Sequence, residues 1–431
     1  MSPTTVHLVG LGCARNDVDT EELAARFAAA GFTLTEEPAD AEVVVVNTCG
    51  FIEAAKRDSI DQLLAAADLR GPGRTRQVVA TGCLAERYGR DLAASLPEVD
   101  AVIGFDGYAD IAATVRGLLA GRPAPSHTPG DRRRRSPLAP VARPAAVQLA
   151  LPGHGTTAVD AASRARSAAA PGRGPASGPP ILRRRLSSSP SAPLKIASGC
   201  DRRCAFCAIP SFRGAFVSRP PADILAEAAW LGEQGVRELC LVSENTTSYG
   251  KDLGGSEPLS RLLRQLGALA AGWVRLSYLQ PAELTDALIS AIAGTDRVVP
   301  YFDVPFQHAA RPVLRRMRRF GDAESYLGLI DRIRAAAPGA AIRSNVIVGF
   351  PGETPDDLAV LTDFLADADL DAVGVFGYSD EEDTAAAGLD GHLDEAEIAA
   401  RVEAVADLAD ILMAERAGRR VGTAATVLVE A

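Results

Sequence analysis

The sequence predicts an α/β protein, an N-terminal open parallel α/β sheet followed by a partial TIM-like (β/α)6 barrel. Three observations carry this. Short apolar runs alternate with helical patterns over 1–122 and again over 194–418, and such alternation builds parallel sheets. The runs are close to uniformly apolar; Val43–Val46 is four valines, as in a strand covered on both faces. Between the two halves, over 123–193, the composition turns to Pro, Ser, Ala and Arg and the periodicity is lost.

In the first half, an apolar run Val6–Leu11 leads through Gly12 to Cys13, and a helical pattern covers Asp19–Ala30. Val43–Val46 ends at Asn47-Thr48-Cys49-Gly50 and is followed by a helix over Phe51–Ala67. Gln77–Thr81 ends at Gly82-Cys83, and Ala101–Ile103 reads as a further strand. Each cysteine therefore sits just past the C-terminal end of a strand, the edge where open α/β sheets bind ligands. Three converging thiols there can hold an iron–sulfur cluster with one iron left open. The competing reading is three buried apolar cysteines. Gly10-Leu11-Gly12 lacks the third glycine of a dinucleotide turn.

The segment 123–193 has eleven arginines, two aspartates and no lysine or glutamate. It cannot bury enough apolar surface to order itself and reads as a disordered basic linker, with a local strand around Val147–Leu151. A basic arm of this kind can make weak contact with RNA, and a plain solvated connection is the simpler reading.

Six strand-like runs follow, at Leu194–Ala197, Glu238–Val242, Trp273–Ser277, Tyr301–Val304, Ile342–Val348 and Ala372–Phe376. Helices fall near Pro221–Gln234, Leu259–Ala271, Thr285–Ala293, Tyr326–Ala336 and Thr354–Ala366, and a long last one spans Asp394–Gly418. In such barrels the residues after the strands face the active site. Those positions are polar here: Ser243 and Glu244, Gln280, Gln307 and His308, Gly349 through Thr354, and on the fifth strand Arg343 and Asn345. Cys240, inside an apolar strand, reads as packing.

The first of these strands runs into Ser198-Gly199-Cys200-Asp201-Arg202-Arg203-Cys204-Ala205-Phe206-Cys207, a C-x3-C-x2-C loop. A cubane 4Fe–4S cluster normally takes four cysteines. Three leave one iron open, the mark of a catalytic rather than a structural metal site. A zinc loop would want a fourth ligand, and no histidine lies between His154 and His308.

The chain's 431 residues are 47% hydrophobic with a net charge of −10, which argues against indiscriminate nucleic-acid binding. Seven cysteines, an odd number in a long chain, fit metal chemistry better than a disulfide framework. No leader pattern opens the chain and no apolar run approaches the roughly 20 residues of a membrane span, so the expectation is a cytoplasmic protein with no membrane association.

With these residues in view, the chain resembles the methylthiotransferase branch of the radical S-adenosylmethionine (SAM) enzymes. Gly12-Cys13, Asn47–Gly50 and Gly82-Cys83 look like that family's N-terminal cluster domain, and Ser198–Cys207 its SAM cluster loop. Tyr301–His308 and Val346–Thr354 are similar to its barrel strands. The stretches Cys200–Gly214, Ser277–Pro281 and Phe376–Glu382 look like the RimO type, which modifies an aspartate of small-subunit ribosomal protein twelve, rather than the MiaB-like type, which modifies transfer-RNA adenosine. The resemblance implies two 4Fe–4S clusters, one held by Cys200, Cys204 and Cys207, the other by Cys13, Cys49 and Cys83. The former would cleave SAM reductively to a 5′-deoxyadenosyl radical; the latter would supply a methylated sulfur to the aspartate β-carbon. It implies SAM contacts from Ser243, Glu244, Gln280, Arg343, Asn345 and Gly349, and an electron donor such as flavodoxin or ferredoxin. Family members also end in a small β-barrel, the TRAM domain, which docks substrate. Residues 419–431 offer room for its first strand only, at Thr423–Glu430. Asp383 stands where the family usually has glycine, so an altered turn is expected there. A non-catalytic iron–sulfur protein is the alternative from a different class.

Overall fold

The structure, a computed structural model, describes residues 3–132 and 183–430. The first domain is a five-stranded all-parallel sheet in the order β2-β1-β3-β4-β5. Its strands are β1 (Thr5–Gly10), β2 (Thr33–Leu34), β3 (Val43–Thr48), β4 (Gln77–Thr81) and β5 (Ala101–Val102). The valines of β3 are wholly buried, because helices cover both faces of the sheet. Those helices are α1 (Ala14–Ala29), α2 (Glu53–Asp68), α3 (Gly82–Ser95) and α4 (Ile111–Leu119). The two-residue β2 is too short to show a period in sequence. Helix α1 starts five residues before the expected Asp19, because the Cys13 carbonyl already accepts from the Asn16 and Asp17 N–H groups.

The second domain contains β6 (Ser191–Lys195), β9 (Glu238–Val242), β10 (Trp273–Leu276), β11 (Tyr301–Asp303), β12 (Ala341–Val348) and β13 (Ala372–Gly377). They lie in chain order as two parallel three-stranded groups. The groups meet through a bridge between Val274 and Val298 and through the Leu279 N–H, which donates to Asp303 O at 2.8 Å. This is the expected partial barrel. A short antiparallel pair, β7 (Ala197–Ser198) with β8 (Val217–Ser218), pinches the base of the cysteine loop. Between them lies α5 (Ile209–Arg213). The covering helices are α6 (Pro221–Glu233), α7 (Pro258–Leu269), α8 (Asp286–Gly294), α9 (Arg311–Arg316), α10 (Ala323–Ala336), α11 (Pro355–Ala368) and α12 (Glu395–Gly418).

Three expectations are corrected. The linker ends are structured. The His127 N–H donates to Val102 O, and Arg132 pairs with Glu86. Arg183 is buried between Glu21 and Glu227, and β6 begins at Ser191 rather than Leu194. Arginine content alone could not reveal that these guanidiniums meet buried carboxylates. The expected strand over Val147–Leu151 lies outside the described residues. Thr423–Glu430 forms no strand and is mostly exposed. No helix among the described residues is long and apolar enough to cross a membrane.

Candidate active site

Cys13 immediately precedes α1, Cys49 follows β3, and Cys83 is the second residue of α3. Their turns touch. A Cβ on Gly12, which sits at φ +95°, would stand 2.8 Å from Cys49 Sγ; one on Gly50 would stand 2.8 Å from Leu84 N and 3.0 Å from the Cys83 carbonyl carbon. Glycine is required at such approaches. Burial pushes the Cys83 thiol up to about 12 and also raises Cys49. At Cys13 burial acts in the same sense, but the Arg15 and Arg213 guanidiniums outweigh it and hold the thiol below its ordinary value. Cys83 Sγ donates to Oδ1 of Asn16, three residues past Cys13, at 3.6 Å, which brings the third cysteine beside the turn of the first.

The second triad lies in the loop between β7 and β8. The Cys200 N–H donates to Gly214 O (3.1 Å), Asp201 accepts from the Phe216 N–H (3.0 Å), and the Ala205 N–H donates to Met317 O (2.9 Å). The loop is thus pinned at both ends and in the middle. Burial, reinforced by the charge of Cys204, pushes Cys200 up to about 11 and Cys207 up to about 12.

Two arginines that the sequence reading did not single out stand between the triads. Arg15, on α1, donates to Ser243 O (2.8 Å), places Nε 3.1 Å from Glu244 Oε1, and stacks over the Tyr278 ring. Arg213, on α5, donates through Nη2 to Asn16 Oδ1 (2.8 Å), Asp19 Oδ2 (3.3 Å) and Cys83 Sγ (3.2 Å), with Nε 3.6 Å from Glu244 Oε1. Both are buried, and both lie in or beside the cysteine motifs, the one sequence signal that could have found them. Between them Glu244 is ion-paired but poorly aligned: neither of its oxygens has a hydrogen-bond donor among the described residues.

The remaining expected residues divide. Arg343 and Asn345 alternate with buried Ile342, Ser344 and Val346 along β12, so both share its half-buried inner face. Arg343 donates to Asp303 Oδ1 (2.8 Å), and Asn345 Oδ1 has no donor. The Gln280 N–H donates to Thr247 Oγ1 (3.2 Å). The Ser243 hydroxyl, expected to meet SAM, is instead occupied within its own turn by Thr246 Oγ1 and the Asn245 N–H. The Gly349 N–H donates to Glu353, and a Cβ there would strike Ile398 at 2.6 Å, so the missing side chain lets α12 approach. Cys240 is not in apolar packing; its Sγ lies 3.4 Å from Ser191 Oγ and accepts from Arg275. His308 is fully buried; its Nδ1 accepts from the Ala310 N–H and its Nε2 faces Glu353 at 3.3 Å.

Each triad offers three thiols, a donor set of the kind that ligates iron–sulfur clusters. Among the described residues no three Cys, His, Asp or Glu side chains crowd closely enough for one metal. A zinc with sulfurs at about 2.3 Å would need that crowding, whereas cubane ligands bind three different irons. The guanidiniums of Arg15 and Arg213 offset the charge of nearby thiolates, and the buried Glu244 carboxylate lies between them.

Residues 5–104 match the uncharacterized protein family UPF0004, and residues 194–365 match the radical SAM superfamily. The chain is 60% identical, over 99% of its length and 87% of the relative's, to ribosomal protein uS12 methylthiotransferase RimO of Cutibacterium acnes. It is 58% identical to the protein of that name in Nocardioides sp., over 99% of its length and 85% of the relative's. In fold it is similar to the radical SAM methyltransferase TsrM of Kitasatospora setae, with a TM-score of 0.56 at 14% identity, covering 87% of this chain and 73% of that one. The two cysteine-bearing domains and this shared identity along nearly the whole chain place it in the RimO family of methylthiotransferases.

Proposed function

We propose that this chain is a SAM-dependent methylthiotransferase that adds a methylthio group to the β-carbon of an aspartate in ribosomal protein uS12. The relatives' names supply the substrate, and the two cysteine triads supply the means. The observation that carries the reading is Arg213, which stands on the helix that follows the Cys200–Cys207 loop and donates to Cys83 Sγ of the first triad at 3.2 Å. One side chain that links the loop of the second triad to a cysteine of the first supports a reading in which both triads serve one substrate.

In this reading Cys200, Cys204 and Cys207 hold one 4Fe–4S cluster, and Cys13, Cys49 and Cys83 the other. When bound, the clusters and SAM would supply reductive carbon–sulfur cleavage, hydrogen abstraction and the sulfur to be transferred. The protein positions and excludes water. Glu244, with both oxygens lacking a donor, suits the SAM ammonium group. Arg343 suits its carboxylate or ribose, Asn345 the ribose, and Gln280 lies in the turn past β10, the strand that pairs with β9 ahead of Glu244. Ser243 shapes the turn that presents Glu244. A reducing cytoplasm fits the seven free thiols, and a flavodoxin or ferredoxin would serve as donor. The basic segment 133–182 would give weak RNA contact beside the substrate.

The test is mass spectrometry of uS12 incubated anaerobically with the reconstituted chain, SAM and a reductant. Methylthioaspartate and 5′-deoxyadenosine are expected together. With Cys13, Cys49 and Cys83 replaced by alanine, only 5′-deoxyadenosine should form. A chain that binds iron but leaves SAM intact would be a non-catalytic iron–sulfur protein, and the proposal would fail.

A further inference from the structure

We propose that Arg213 is a positioning residue of the first-domain cluster, reached from the barrel, and that its hydrogen bonding to that cluster's sulfur favours the cluster's reduced state. This rests on the reading of Cys13, Cys49 and Cys83 as a cluster site.

Four observations converge on it. Arg213 belongs to the second domain, yet Nη2 donates to Cys83 Sγ in the first at 3.2 Å. The side chain is 2% exposed, so solvent hardly screens its charge. Its guanidinium is held by Asn16 and Asp19 of α1, by Glu244 after β9, and by the Phe105 ring, whose centroid lies 5.1 Å away. Finally, Nη1 is buried with no acceptor among the described residues. Buried donors are nearly always satisfied, so an orphan one next to a cysteine ligand points to a partner absent from the polypeptide. Sulfur of a cluster on Cys83 is an acceptor at the right place.

The chemistry follows from charge. Reduction adds one electron to the cluster, supplied by the external donor, and so one negative charge. Hydrogen bonds to cluster sulfur and nearby charge are what set cluster potentials. A fixed guanidinium in a site of low screening stabilises the more negative state. Asp19 and Glu244 also face this guanidinium and Arg15 lies beside it. The charges of that group are close to balanced, which leaves the directed hydrogen bond as the distinguishing contribution of Arg213.

The experiment uses the full chain with Cys200, Cys204 and Cys207 replaced by alanine, so that only the first-domain cluster is present. Reduced cluster is read by electron paramagnetic resonance at a series of poised potentials, at matched iron content, with Arg213 intact and as Arg213→Gln and Arg213→Lys. For Arg213→Gln the expected result is at least a tenfold fall in the ratio of reduced to oxidised cluster at fixed potential, a shift of about 59 mV for one electron. Arg213→Lys, which keeps the charge and loses the fork, should fall between. An unchanged potential in both variants overturns the inference while leaving the cluster site standing. If Arg213→Gln loads no cluster, the decision passes to Arg213→Lys, and a lysine variant indistinguishable from the parent overturns it. A parent that binds no cluster overturns the ligand set itself, and the inference with it.

Discussion

The carboxylate of Glu283 gathers Arg202 of the cysteine loop, Lys251 Nζ (2.9 Å), the Ser248 hydroxyl (2.8 Å) and the Asn245 amide (3.4 Å). Burial works against its ionised form, but these donors win and lower its carboxyl to about 2. A carboxyl held low stabilises the fold above its ordinary range and loses that contribution as pH falls through the depressed value. Full linkage would give about 3 kcal/mol, and solvent access reduces the expectation to about 1–2 kcal/mol. Urea unfolding of Glu283→Gln should show that deficit at pH 7, and the gap to wild type should shrink below about pH 4. A constant gap across that range would mean the carboxylate charge is irrelevant. Asp383 makes a second residue-scale test. It stands where the family usually has glycine, and it adopts φ +61°, a left-handed conformation that aspartate tolerates better than most residues. The Thr384 N–H still donates to Glu381 O (3.3 Å), so the turn is closed in spite of the substitution. Asp383→Gly should raise stability by about 0.5 kcal/mol, seen as a higher thermal midpoint. The six cysteines of the two triads stood out as motifs, but Arg15 and Arg213 did not. An arginine two residues past Cys13, or six past Cys207, carries no sign of its direction until the fold turns it inward.

Elements were legible to within a few residues where a period or a cap was present. Gln77–Thr81 and Glu238–Val242 have the bounds that their apolar runs imply, and Thr354 and Asp357 make the capping box that opens α11. What sequence could not show was how elements are tied together. Glu353 accepts from the Gly349 N–H, faces His308 Nε2 at 3.3 Å, and accepts from Arg401 of α12 at 2.7 Å. The side chain has no exposure at all, so its charge is held only by those partners. Removing one member of a buried pair strands the other charge at a cost of about 3–5 kcal/mol. Glu353→Ala should therefore lower stability by about that much. Amide exchange should quicken in α12 more than in β12, and uniform quickening would argue against a local staple.

At the scale of the whole molecule the two domains are joined by charge as well as by packing. Lys195 of β6 is buried against Asp19 (2.5 Å) and Glu22 (3.3 Å) of α1. On the opposite flank Glu381 meets Lys56 and Arg87, each at 3.1 Å. The −10 net charge concealed this, since a sum says nothing of which charges are buried. Glu381→Gln should loosen that flank without touching either triad. Formation of 5′-deoxyadenosine should then persist while methylthiolation of uS12 falls several-fold; equal losses of both would show that Glu381 acts on the barrel alone. The two-cluster reading has its own measure, about eight irons per reconstituted chain and about four after replacement of Cys200, Cys204 and Cys207 by alanine.

Helix α5 ends six residues beyond Cys207, at Arg213, while its Phe212 and the nearby Ala208 pack into the core of the first domain. The segment that carries the barrel's own ligands therefore continues directly into part of its neighbour's interior. Such a joint restricts recombination. A first domain transplanted onto another radical SAM barrel would lack two core side chains and its arginine, and a barrel expressed alone would expose them to water. The pair would have to be inherited, or engineered, as one indivisible unit, with any useful breakpoint placed after residue 213 rather than in the Pro- and Arg-rich segment that looks like the natural seam.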